Sequence, residues 1–126
     1  MIIGEVTADL EATVALEVRG ANGTPRQLTA VIDTGFTGFF TLPAMLVSGL
    51  DLPWVGREHA LIGDGSVHSF DVYSAIVIWD GRPREVEVNQ TETVPLIGMA
   101  LLIGHRLQID AVVGGGVRVE PLSRDE

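Results

Sequence analysis

The stretch AVIDTGFTGFF, Ala30 to Phe40, sets a single aspartate among apolar residues and follows it at once with Thr34 and Gly35. Upstream, EATVALEVR (Glu11 to Arg19) alternates, with Val14, Leu16 and Val18 on one face, which is the period of a half-buried strand. GANGTP follows, and its Asn22-Gly23 pair tolerates the positive φ of a tight hairpin turn. Gln27 to Ile32 is therefore expected to return antiparallel and to deliver Asp33 at its C-terminal end.

Working outward, Phe39 to Leu42 reads as another short strand. Pro43 suits the first turn of a helix reaching about Leu50, with Thr41 as a nearby cap. Trp54 to Ile62 and Val67 to Trp79 are apolar-rich runs separated by GDGS, and Asp64-Gly65 predicts a two-residue turn between them. Asp80-Gly81 predicts a further turn before Glu85 to Asn89, where valines alternate with glutamates. Val94 to Ile97 is short and almost wholly apolar, and Gly98 to Leu102 can wind one or two helical turns before Gly104 stops them. Arg106 to Val113 and Val117 to Leu122 read as strands joined by a flexible GGG turn. Many short strands with one or two brief helices indicate an all-β barrel or sandwich. Asp-Thr-Gly occurs once, and no internal repeat is visible.

The 126 residues fit a single domain spanning 1–126, with a packed core over 10–122 and a frayed tail at 123–126. Apolar residues make up 46% of the chain and glycines number 15, a balance suited to strands and tight turns. The net charge is −9, and all 8 basic residues are scattered arginines. Only Arg82 and Arg84 come close together, in a hairpin turn where a solvated role suffices, so a nucleic-acid partner is not expected. Cysteine is absent, which removes disulfides and thiolate metal sites. His59, His68 and His105 lack metal-ligand spacing, and neither a metal nor a cofactor is expected. The N-terminus has no basic start and no long apolar run, and VPLIGMALLIG falls well short of the roughly 20 residues of a membrane span. A soluble, cytoplasmic protein without a membrane partner is the expectation.

An Asp-Thr-Gly triplet alone is weak evidence, and a turn-capping aspartate would explain it. Here it is one of three signposts in order: VIDTGFTG, then IGDGS at a hairpin tip, then PLIGMALLIGHRLQID. With these, Glu11 to Leu122 resembles the retropepsin-like aspartic proteases, especially the small bacterial and archaeal single-domain members. The resemblance implies an all-β, retropepsin-like acid protease barrel that supplies one half-site per chain and assembles as a homodimer. It implies an aspartic endopeptidase acting on peptide or protein substrates. Asp33, Thr34 and Gly35 would form the catalytic loop, with Thr34 hydrogen-bonding across the two-fold axis. Phe36 and the flap residues Gly63, Asp64, Gly65 and Ser66 would meet substrate. Leu96, Ile97 and Gly98 would support the loop from behind.

The chemistry explains the demand for two carboxyls: one deprotonates water while the other, protonated, polarises the scissile carbonyl. Like charges about 3 Å apart cannot both ionise, so the pair shares a proton. One chain offers one such aspartate, and the second is expected from another copy. Asp110, in LQIDAVV, lacks a following Thr-Gly and reads as a strand-edge residue. Thr37 and Met99 stand where viral members place an acid and an arginine that pair near the dimer interface, so the Arg106 to Leu122 hairpin becomes the candidate contact surface. Bulk at Phe36 would narrow the cleft. The alternative function is a non-catalytic dimer of the same fold that binds extended peptides or partner proteins.

Overall fold

Residues 1–61 and 63–122 are described by a computed structural model of the chain. Alternating apolar residues make the first half of the chain a run of paired strands: β1 (Ile2–Val6), β2 (Ala12–Arg19) and β3 (Pro25–Ile32). β2 and β3 pair antiparallel with Arg19 opposite Pro25 and Thr13 opposite Val31, and Gly23 takes φ +75 in the turn between them. β4 (Phe40–Leu42) leads into α1 (Ala44–Gly49). β5 (Trp54–Leu61), β6 (Val67–Trp79) and β7 (Arg82–Gln90) then form two successive hairpins. β8 (Leu96–Ile97), α2 (Met99–Leu102), β9 (His105–Ile109) and β10 (Gly116–Pro121) complete the order.

The strands make one sheet in the order β5-β6-β7-β4-β8-β3-β2-β1-β10-β9, and β6 also pairs with β2, which closes the middle of the sheet into a barrel. β8 lies parallel to β3 on one side and antiparallel to β4 on the other. The barrel interior is filled by Val14, Val18, Phe40, Leu42, Val77, Val88, Ile97 and Leu101, all essentially inaccessible to solvent. Val86 and Val88 face inward while Glu85 and Glu87 face water, as the alternation predicts.

Several local expectations are corrected. The packed core begins at Ile2, upstream of residue 10: β1 sits between β2 and β10, and Val6 is buried. Thr41 does not cap α1. Pro43 occupies the cap position without a side-chain bond, and the buried Thr41 hydroxyl instead accepts a hydrogen bond from the Leu96 N–H at 3.0 Å. Leu61 stands opposite Val67 at the hairpin end, and Ile62, where the strand was expected to end, lies outside the described residues. β9 stops at Ile109, short of Val113. The GGG turn is not slack: Gly114 N–H donates to the Val6 carbonyl at 2.8 Å, Gly115 N–H donates to that of Val112 at 2.8 Å, and a side chain at Gly115 would collide with the Asp110 carbonyl. The expected frayed tail, 123–126, lies outside the described residues.

Candidate active site

Packing of β3 against β2 and β8 fixes where the chain leaves the sheet. Ile32 is the last residue of β3, and the Asp33 N–H still donates to the Ile97 carbonyl at 2.9 Å, as though the strand ran one residue further. The chain then turns: the Phe36 N–H donates to the Asp33 carbonyl at 3.1 Å. Asp33 Oδ1 accepts the Gly35 N–H at 3.0 Å, so one carboxylate oxygen pins the loop. Oδ2 has no partner among the described residues. Asp33 is half-buried, whereas Thr34 and Gly35 are exposed. The turn-capping role and an available carboxylate therefore coexist in one residue.

β8 and the start of α2 clasp the far side of this loop. Gly98 N–H donates to the Phe39 carbonyl at 3.0 Å, Met99 N–H to that of Phe36 at 2.8 Å, and Ala100 N–H to that of Gly38 at 3.1 Å. Ile97 is fully buried, and Gly98 lies so close to the Gly38 and Phe36 carbonyls that no Cβ fits there. The Phe36 ring takes up the neighbouring space: a Cβ on Gly38 would stand 2.6 Å from its Cζ. Leu96, Ile97 and Gly98 are thus brought against the Asp33 loop, and Phe36 is packed back onto them.

Two clefts meet at Asp33 and Leu96. The first, about 530 Å³, is walled by Val6, Leu10, Ala12, Ile109 and Ala111, with Glu11 also at its edge. The second, about 620 Å³, runs from Phe36 and Thr37 to Glu58, His59 and Phe70 on the β5–β6 hairpin. The hairpin tip, Gly63 to Ser66, lines neither cleft; its arms do. At the tip, Asp64 Oδ1 accepts both the Ser66 hydroxyl at 2.6 Å and the Ser66 N–H at 2.9 Å. These bonds, the hydroxyl first, hold its carboxyl below the ordinary value of 3.8. Asp110 lines neither cleft, although its neighbours Ile109 and Ala111 line the first.

Thr91 was not singled out in the sequence. It lines the second cleft, and its hydroxyl is buried with no hydrogen-bond partner among the described residues. His59, read as a plain hairpin residue, lines the same cleft with its Nδ1 2.7 Å from the Ser69 hydroxyl. Neither could be placed without knowing that the hairpin arm folds over the Asp33 loop. No group of side chains among the described residues is arranged to hold a metal ion.

This architecture is that of a retropepsin-like all-β fold. No protein-family model and no curated protein matches the sequence. Among solved structures, the chain is similar to the solution structure of the simian foamy virus (mac) protease, with a TM-score of 0.50 and 21% identity. That match covers 70% of this chain and 90% of the viral one, and at this identity it speaks for the fold alone.

Proposed function

We propose that the chain is an aspartic endopeptidase in which Asp33 from each of two copies forms a shared-proton dyad. The observation that carries this reading is the placement of Asp33: a half-buried carboxylate on a clasped loop, at the junction of two clefts, with one oxygen unpartnered. A single chain brings no second Asp-Thr-Gly loop to the junction, so the reaction needs a partner copy. One Asp33 then takes a proton from water while the other, protonated, polarises the peptide carbonyl. The exposed Thr34 is available to bond across the two-fold axis, and an extended peptide would lie under the β5–β6 hairpin. The proposed contact surface is the β9–β10 hairpin, where Ile109, Val112 and Val113 are exposed beside the first cleft. A cytoplasmic site of action completes the proposal; no described helix is long and apolar enough to cross a membrane.

The test is incubation of wild type and Asp33→Asn with a peptide library across about pH 3.5 to 7, where a shared-proton dyad titrates. Cleavage should fall by about 10²- to 10⁴-fold or more in the variant while the dimer persists. A dimeric wild type that cuts nothing anywhere in that range would remove the enzyme reading and leave a peptide-binding module of the same fold.

A further inference from the structure

We infer that a second site, an oxyanion-binding pocket, lies where the β6–β7 hairpin meets the ends of β9 and β10. This pocket of about 580 Å³ is formed by Trp79, Arg82, Pro83, Arg84, His105 and Pro121, together with Asp80. It shares no residue with either cleft at Asp33. Its position follows from the register. Arg82 stands opposite Trp79 and Arg84 opposite Val77, and both of those partners are buried core residues. The two arginines therefore project from the core-side face of β7 at the barrel end, away from Glu85 and Glu87 on the outer face.

The pocket holds donors in excess of acceptors. Trp79 is 4% exposed, and its Nε1, which can only donate, has no acceptor among the described residues. Buried donors are almost always paired, so this one calls for a partner. Arg82 makes no ion pair among the described residues. Arg84 spends one N–H on the Leu101 carbonyl at 3.3 Å and lies 5.7 Å over the Phe39 ring, which leaves further guanidinium donors. His105 stands edge-on to Trp79 at 5.7 Å, with Nδ1 3.0 Å from the Ile103 carbonyl. Asp80, the one acid in the pocket wall, is paired with the Met1 amine. In a protein of net charge −9, two arginines lining one pocket with a tryptophan whose N–H lacks a partner among the described residues match an acceptor-rich anion, a phosphate or carboxylate group of a small molecule.

The chain has two tryptophans, and Trp54 Nε1 already donates to Asp71 at 3.1 Å, so the Trp54 indole serves as an internal reference. Indole N–H signals of the whole chain are followed by ¹H–¹⁵N spectroscopy during titration with sodium phosphate and, separately, sodium succinate, at constant ionic strength. Titration to about 10 mM fills most of a site with a Kd near 1 mM. The Trp79 signal should shift saturably with at least one anion, while that of Trp54 stays in place. The anion that moves it distinguishes phosphate from carboxylate. Arg82→Gln, an exposed change compatible with folding, should weaken the apparent affinity about tenfold, as expected for one lost charge-assisted bond. A Trp79 signal insensitive to both anions, as a buried water alone would leave it, overturns the proposal. So does a shift of equal affinity in wild type and Arg82→Gln.

Discussion

Gly98 has no room for a side chain, and the obstacle is backbone: the Gly38 and Phe36 carbonyls. Gly98→Ala must push β8 away from the Asp33 loop, and the expected cost is about 1–3 kcal/mol, read as a lowered urea midpoint with an unchanged slope. Trimming Phe36 would not rescue it, since the carbonyls remain. Gly35 makes a different case. An added Cβ would stand 3.3 Å from Asp33 Oδ1 and nothing else, so Gly35→Ala should leave stability within about 1 kcal/mol and lower turnover by disturbing the carboxylate. The Asp64 carboxyl is held below its ordinary value by the Ser66 hydroxyl and then the Ser66 N–H. A carboxyl held low favours the ordered hairpin tip above the ordinary value of 3.8 and loses that contribution as pH falls through the lowered one. Ser66→Ala should move the Asp64 titration, followed by ¹³C NMR of its carboxyl, back up toward the ordinary value.

Among the elements, β8 is the shortest strand and the most constrained, bonded to β3 on one side and β4 on the other. The buried Thr41 hydroxyl serves its Leu96 N–H, so Thr41→Val strands that donor and should destabilise the fold by about 1–3 kcal/mol in a denaturant titration. This contact was not legible in the sequence. Thr41 stands just ahead of Pro43, and its local context pointed to helix capping; the true acceptor role depends on a residue 55 positions away. The hairpins were legible because their information is local. Asn22-Gly23 and Asp80-Gly81 supply the positive φ that their turns use, Asp80 at 51° and Gly81 at 81°. The placement of Asp33 at a strand end was legible for the same reason. β1 was not recognised, although Ile2, Gly4 and Val6 do share one face. Gly4 interrupts the apolar signal, and its need for a bare Cα arises only against the Thr13 carbonyl of β2. The arms of the β5–β6 hairpin, rather than its tip, line the cleft for a reason of tertiary packing that no turn signature carries.

At the scale of the whole molecule, the proposed site, built from two copies, would make activity depend on concentration. Specific activity should fall on dilution below the dimer dissociation constant, with the rate following the square of protein concentration there. Val113→Asp, on the proposed contact surface, should shift that fall to higher concentration and leave the rate at saturating protein close to wild type, as followed by activity and sedimentation together. The seating of β1 has a further consequence, in the order of synthesis. Ile2 pairs with Val119 and Glu5 with Gly116, so β1 waits for β10 to be made. Until residues 116–121 are available, β1 presents an open edge, and the wall of the first cleft around Val6 and Ile109 is unfinished. Pairings of such sequence separation close slowly, in about milliseconds to seconds. A nascent chain therefore carries its Asp-Thr-Gly loop long before the cleft beside that loop has both walls, which come together only when the β9–β10 hairpin is in place.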